Sequence, residues 1–488
     1  MDYDTVIGLE VHAQLLTNSK MYCSCDADYA LAPPNTHVCP VCMGMPGVLP
    51  TINGKAIEYT VLSALALNCD IPEFTKFDRK NYPYPDLMKG YQISQYDAPI
   101  GVHGWINIDV NNSKKRINIT RVHLEEDVAK LVHRTTSWGD SHSLVDINRA
   151  GVPLMEIVSE PDMSSPEEAR QYLIQLRSML RYLGVSTGNM EEGSFRCDAN
   201  ISIRSRSNNK AYPKIEVKNM NSFKAVYRAL EYEEQRQRKV VDDGGMLSQE
   251  TRGWIEEKGI TVSQRSKEHA HDYRYFPEPD LPPLTPTPKF IEDVKACLPE
   301  LPEAKRDRFI EQYKLSVYDA SLLCTSKSLA LYFEECVDLS SQLPAKKRAK
   351  SISNWLLGEF TRLINAQNIE IDQAQVSPQQ LVDLLNLIEQ GTISGPSAKE
   401  VFEEMFNTGK PADQIVSEKA LTQISDTEEL ERIVNDIITN NPSAVSDFKA
   451  GKEKSVTFLV GQVMRATKGR ANPSLANDLI RKELDKTQ

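Results

Sequence analysis

The run Thr5-Val6-Ile7-Gly8-Leu9-Glu10-Val11-His12-Ala13-Gln14-Leu15 alternates side-chain character with a period of two. Successive side chains of a strand point to opposite faces. Ile7, Leu9, Val11, Ala13 and Leu15 therefore share an apolar face, and Glu10, His12 and Gln14 share the other. Two further segments carry polar residues in the same step: Asp198, Asn200 and Arg204 on one, Lys214, Glu216 and Lys218 on the other. A strand face bearing carboxylates, a histidine and cations suits a divalent metal beside a polyanion. That combination points to phosphoryl chemistry more than to a hydrolytic triad.

Other acids reinforce this expectation. His123-Leu124-Glu125-Glu126-Asp127 places three carboxylates at the end of an expected strand. Glu156 sits inside the apolar run Val152 to Val158, where an unpaired carboxylate is costly unless a metal or cation meets it. Acids for a metal, interleaved with Lys214, Lys218 and Arg204 for phosphate, describe a magnesium–nucleotide site.

The chain has 488 residues, enough for two to four domains. Hydrophobic content of 40% and charged content of 26% are those of a soluble globular protein. No apolar run reaches the ~18 residues of a membrane span, and Met1-Asp2-Tyr3-Asp4 carries no export signal. A cytoplasmic location is expected. With a net charge of −11, any contact with nucleic acid must use a local basic patch.

The first ~275 residues read as short strands with a few helices. The clearest helix spans about Pro166 to Tyr182, capped by Ser164 or Ser165 and ended by Gly184. Eight prolines between Pro277 and Pro302 mark a boundary. Helices dominate from about Glu300. Leu381, Leu384, Leu385 and Ile388 form one apolar stripe between Ser377-Pro378 and Gly391, and a second helix runs from about Ser397 to Gly409. The expectation is an α+β chain: a strand-rich domain over 1–295, a helical domain over 296–410 and a helical tail over 411–488. The tail holds six basic residues and one acid between Lys449 and Arg470.

Nine cysteines in a chain without an export signal argue against structural disulfides. Cys23, Cys25, Cys39 and Cys42 form two close pairs, the pattern of a four-thiolate zinc site, with Gly44 permitting the turn that follows. Such a site has no open position and is structural. No phosphate-binding Gly-rich loop or dinucleotide fingerprint is present. Gly184-Val185-Ser186-Thr187-Gly188 matches the nucleophile-elbow string but follows a helix, which makes it a helix-stop loop.

Several longer runs carry a family resemblance: Ile7 to His12, the four cysteines, Lys80-Asn81-Tyr82-Pro83-Tyr84-Pro85-Asp86-Leu87, Lys89-Gly90-Tyr91-Gln92-Ile93-Ser94-Gln95, and His123 to Asp127. Met190 to Ser194, Arg196 to Asn200, and His271-Asp272-Tyr273-Arg274-Tyr275-Phe276-Pro277-Glu278-Pro279-Asp280 continue it. Over essentially its whole length the chain resembles the B subunits of bacterial GatCAB aminoacyl-tRNA amidotransferases.

The resemblance implies a cradle-shaped, kinase-like N-terminal domain, a helical domain and a tail that contacts tRNA. It implies a ligase that uses ATP and Mg2+ to phosphorylate the side-chain carboxylate of Glu-tRNA(Gln), Asp-tRNA(Asn) or both. Ammonia from a glutaminase A subunit then gives the amide, within a heterotrimer completed by a small C subunit. Glu10, His12 and Glu125 become the expected Mg2+ ligands, with Glu156, Asp198 and Glu216 in the same metal–nucleotide site. Lys80, Lys89, Arg196 and Lys218 become contacts to phosphate, aminoacyl ester or the ammonia path. Lys449, Lys452, Lys454, Arg465, Lys468 and Arg470 become contacts to tRNA phosphates. Ala129 stands where the family pattern has glycine; if that glycine lets backbone approach a ligand, Ala129 reshapes the pocket. Two rival readings are a non-catalytic RNA-binding protein with a zinc knuckle, which leaves the acidic set unexplained, and a metal-dependent hydrolase, which needs no ATP.

Overall fold

The computed structural model describes residues 2–110, 113–135, 141–264, 273–340, 345–369, 371–419, 421, 427–449, 452–467 and 471–486. His271 and Asp272 of the last family motif lie outside them. The chain divides into two compact units, Met1–Leu301 and Pro302–Gln488. The fold is α+β, and the described strands all fall in the first unit.

Thirteen strands are present among the described residues. β1 Tyr3–Gln14, β2 Asp78–Asn81, β3 Tyr91–Ser94, β4 Gly101–Val110, β5 Ser113–Glu126, β6 Lys130–Thr135 and β7 Ser141–Asp146 come first. β8 Pro153–Ser159, β9 Phe195–Ser205, β10 Ile215–Lys218, β11 Glu250–Ile255, β12 Ile260–Ser263 and β13 Phe276–Pro277 follow. Eight of them form one sheet in the order β12-β11-β10-β9-β1-β8-β5-β4. Of the described pairs in that sheet, β10–β11 alone is parallel. β1 is central, antiparallel to β8 on one side and β9 on the other. A small sheet, β13-β2-β3, and the hairpin β6-β7 complete the set.

The alternation along β1 decides which face is packed. Ile7, Leu9, Val11 and Ala13 are all but inaccessible, in one core with helices α1 Gly54–Ala66, α2 Pro166–Leu183 and α3 Phe223–Asp242. α2 contributes Tyr172, Leu173, Leu176 and Leu180, and α3 contributes Val226 and Leu230. Each buried leucine is worth roughly 1.5–3 kcal/mol. α2 starts as its sequence dictates: Ser165 accepts from the Glu168 amide, Pro166 occupies the first turn, and Gly184 closes the helix at φ +71°. The Ser186 hydroxyl in the following loop accepts from the Gly188 amide, the geometry of a helix-stop loop. A fourth helix, α4 Pro288–Ala296, starts before Glu300, and its Val294 joins the core of the first unit.

The second unit is helical and holds two separate cores. Phe309, Phe333, Phe360 and Phe402 lie in one, and Leu430, Val434, Leu459 and Ile480 in the other. The Leu381–Ile388 stripe belongs to a helix over Pro378–Glu389, opened by a reciprocal Ser377–Gln380 capping box. The next helix begins two residues earlier than its sequence suggested. Ser394 caps Gly395–Thr408, and Gly409 ends it at φ +70°. Among the described residues no helix is long and apolar enough to cross a membrane.

Candidate active site

Strand register places the polar face in transverse rows. Arg196 on β9 is opposite His12 on β1, His12 is opposite Glu156 on β8, and Glu156 is opposite His123 on β5. One row toward the start of β1, Glu10 is opposite Asp198 on β9. One row the other way, Leu154 separates Gln14 from Glu125. Four strands thus bring residues distant in sequence onto one surface. A cavity of about 470 Å³ opens on it, lined by Glu10, His12, Lys80, Glu125, Glu156, Arg196, Asp198, Glu216 and Lys218.

His12, Glu125 and Glu156 can each aim one donor atom to within 4.8 Å of the others. His12 Nε2 lies 3.7 Å from Glu125 Oε1 and 3.4 Å from Glu156 Oε2. His123 Nε2 reaches Glu156 Oε2 at 3.0 Å, and the Ser94 hydroxyl donates to Glu125 Oε2 at 3.0 Å. Burial opposes protonation of His12, but the adjacent Glu156 and Glu125 outweigh it and its pKa rises. The same contest pushes His123 up to about 9. Burial works against ionisation of Glu156, yet the two imidazoles hold its carboxyl well below the usual range. Glu125 is lowered too, with His123 and Lys80 overcoming burial. Two ionised carboxylates and an imidazole converging in a cleft fit one divalent cation with coordination positions left for substrate or water.

Glu10 lines the cavity but is not among those three converging donors; it accepts instead from Asn200 Nδ2 at 2.9 Å. Beside it, Lys218 bonds Asp198 at 2.8 Å and lies 3.6 Å from Glu216. Arg196 pairs with buried Asp127 at 2.9 Å. Lys80 projects from β2 over the Tyr273 ring at 5.0 Å. Tyr82 packs edge-on to Tyr273, and Tyr96 stacks on Tyr275 at 4.3 Å, so a tyrosine wall faces the acids.

Several expectations need correction. Lys214 precedes β10, which begins at Ile215, and is not part of the cavity wall. Arg204 is exposed near the far end of β9, opposite Asp4, also away from the cavity. Lys89 is elsewhere, ion-paired with Glu126 in a neighbouring cavity of about 210 Å³ that Cys23 and Cys42 also line. Ala129 is buried, donates its amide to Asp86 O at 3.0 Å and does not line the active cavity.

Sequence reasoning gave Arg121 and His123 no role in the wall and counted Asp127 only among the acids at the end of the strand. The signal was available, because they share the two-residue step of Glu125. Tyr82, Tyr273 and Tyr275 lie in runs that carry the family resemblance, but no role was read from them.

The sulfurs of Cys23, Cys25, Cys39 and Cys42 also lie within 4.8 Å of one another. The Cys39 amide donates to Cys42 Sγ at 3.1 Å. The neighbouring Cys23 thiol is the main cause that draws Cys42 down to about 5. Four converging sulfurs with amide support fit a tetrahedral zinc ion. The loop between the two pairs is fastened to the turn after β7. Asn148 Oδ1 accepts from the His37 amide at 2.8 Å, and its Nδ2 donates to Pro33 O at 2.8 Å. Fully buried Lys20 bonds His37 O at 2.7 Å. Gly44 has φ +66°, and a Cβ there would lie 2.4 Å from Lys89 Cγ, so the turn requires glycine.

In the tail, Lys454 and Arg465 are exposed on the helix Lys454–Ala466, and Lys452 pairs with Asp447 at 2.9 Å. Lys468 and Arg470 lie outside the described residues, as does the Lys449 side chain.

The mostly antiparallel sheet thus carries an acid–imidazole cluster in one cavity with Lys80, Arg196 and Lys218, a donor set that fits a cation beside an anion. Residues 5–292 match the GatB/GatE catalytic domain, and residues 331–484 match the GatB domain. Full-length relatives agree. A protein of Dehalococcoides mccartyi (strain CBDB1) is 58% identical over 487 residues, covering 99% of both chains. One from Thermoanaerobacter pseudethanolicus is 55% identical over 486 residues, and one from Caldicellulosiruptor saccharolyticus is 51% identical over 489, each covering 100% of both chains. All three are named as the B subunit of an aspartyl/glutamyl-tRNA(Asn/Gln) amidotransferase. The chain belongs to the GatB family.

Proposed function

We propose that this chain is the B subunit of a glutamine-hydrolysing, ATP-dependent aminoacyl-tRNA amidotransferase. Its substrates are Glu-tRNA(Gln), Asp-tRNA(Asn) or both. The side-chain carboxylate of the misacylated residue attacks the γ-phosphorus of ATP and ADP leaves. Ammonia then attacks the acyl phosphate carbonyl, phosphate departs, and the amide remains. A carboxylate is a poor electrophile toward ammonia, and phosphorylation supplies the leaving group.

The observation that carries this reading is the convergence of His12, Glu125 and Glu156 opposite Lys80, Arg196 and Lys218 in one cavity. His12, Glu125 and Glu156 would hold Mg2+, with Glu10, Asp198 and Glu216 completing the nucleotide site. The metal supplies charge neutralisation on the transferred phosphoryl group. Lys80, Arg196 and Lys218 face phosphate and aminoacyl ester, and Lys89 belongs to the ammonia side. The tetracysteine zinc is structural.

The chain works as a cytoplasmic heterotrimer with a glutaminase A subunit and a small C subunit. The unit Met1–Leu301 forms the catalytic part, the helices packed around Phe402 and Val416 a helical part, and the helices packed around Leu430 and Ile480 a tail whose Lys449, Lys452, Lys454, Arg465, Lys468 and Arg470 meet tRNA. The test is conversion of Glu-tRNA(Gln) or Asp-tRNA(Asn) by the assembled trimer with glutamine, with and without ATP. ATP-dependent amide formation, reduced at least ~100-fold in Glu125→Gln, is expected. Turnover without ATP would establish a hydrolase. Bound tRNA with no amidation would establish the RNA-binding reading.

A further inference from the structure

His123 is 3% exposed and stands on the far side of Glu156 from His12. Its Nε2 lies 3.0 Å from Glu156 Oε2 and 3.8 Å from Glu125 Oε2. An ionised carboxylate only accepts, so Nε2 carries the hydrogen and donates it. Its Nδ1 is buried with no hydrogen-bond partner among the described residues. Glu125 is held in a divided way: Oε2 receives the Ser94 hydroxyl at 3.0 Å and faces His123, while Oε1 is left toward His12 at 3.7 Å. Without these donors, two carboxylates and an imidazole on adjacent strands would have several rotamers open to them.

We propose that His123 is a positioning residue. Its Nε2–H, 3.0 Å from Glu156 Oε2, fixes the Glu156 carboxylate beside the Glu125 carboxylate that Ser94 holds, so that their free lone pairs converge with His12 on one divalent cation. His123 is not itself a ligand. The inference rests on the proposed cation site, and it adds the residue that pre-organises the site from behind. Ligands oriented by a hydrogen bond from a neighbouring side chain commonly lose about 10–100-fold in metal affinity when that neighbour is removed.

The test uses Mn2+ as the probe and the full chain. Affinity is measured by electron paramagnetic resonance, and ligand nitrogen by electron spin echo modulation, in wild type, His123→Leu, His123→Gln and His12→Gln. Mn2+ affinity is expected to fall about 10–100-fold in His123→Leu and to recover in His123→Gln, which keeps a donor near the Nε2 position. The nitrogen modulation should survive in His123→Gln and vanish in His12→Gln. Wild-type affinity in His123→Leu would overturn the positioning role and leave the site standing. Loss of nitrogen modulation in His123→Gln would overturn it by making His123 a ligand. Absence of Mn2+ binding in wild type would overturn this inference and the cation site together. If His123→Leu fails to fold, by circular dichroism, the His123→Gln affinity and modulation decide the question.

Discussion

Glu125 Oε1 faces His12 in the active cavity, whereas Glu126 Oε1 faces Lys89 in the cavity beside the cysteines. Adjacent strand residues point oppositely, so one peptide bond separates two chemical compartments. This explains why Lys89, grouped by motif with contacts to phosphate, aminoacyl ester or the ammonia path, lines a different cavity from Lys80, Arg196 and Lys218. Glu126 is 5% exposed and also accepts from the Ile93 amide at 3.0 Å. Removing its cation leaves a buried charge, which typically costs about 3–5 kcal/mol. Lys89→Met should therefore lower stability in urea unfolding by about that amount, and Lys89→Met with Glu126→Gln should recover most of it. Gly44→Ala should lower stability by about 1–3 kcal/mol, since it puts a side chain at φ +66° against Lys89. Thermal melting with bound-zinc analysis checks it.

At the scale of elements, the alternation in β1, β5 and β9 made most of the acidic face legible. Glu10, His12 and Asp198 follow from a period of two, Glu125 from the acid-rich strand end, Glu156 from its apolar run and Arg196 from the family resemblance, and all six line the cavity. The tyrosine wall was not legible. It comes from the segments around β2, β3 and β13, where Phe276 pairs with Arg79 and Pro277 with Asp78, and a two-residue pairing that far apart in sequence leaves no local sign that these tyrosines meet. The separation of Glu10 from the converging trio was equally hidden, because Asn200 Nδ2 engages it across a strand pair.

Helix α2 gives a pH prediction. Burial works against ionisation of Glu168, but Lys115 at 2.7 Å and the Ser164 amide at 2.6 Å prevail and lower its pKa. A depressed carboxylate stabilises the fold fully above its unfolded pKa of about 4.3, and that contribution is lost as pH falls toward the folded value. Glu168→Gln should lose about 1 kcal/mol at pH 7, and its gap to wild type should close on acidification below pH ~4. Stability titrated by urea at several pH values measures this.

For the whole molecule, net charge is −11, yet the tail carries exposed Lys454 and Arg465. Reversing Lys452, Lys454 and Arg465 together should weaken tRNA binding and flatten its salt dependence, by about one slope unit for each phosphate no longer neutralised. ATP-dependent chemistry on saturating substrate should be little changed. An unaltered slope would remove the tail from the tRNA interface. Separate cores in the second unit also predict that calorimetric unfolding will not follow a single two-state transition.

The central place of β1 has a consequence for synthesis. β1 leaves the ribosome well before both of its neighbours, β8 at Pro153–Ser159 and β9 at Phe195–Ser205. At about 5–20 residues per second, β9 follows on the order of 10–40 s behind. For that interval Ile7, Leu9, Val11 and Ala13 form a bare apolar ribbon with two unpaired edges, a template for wrong pairing. The nascent chain is thus most exposed to aggregation, and most dependent on a holding chaperone, before β9 is made.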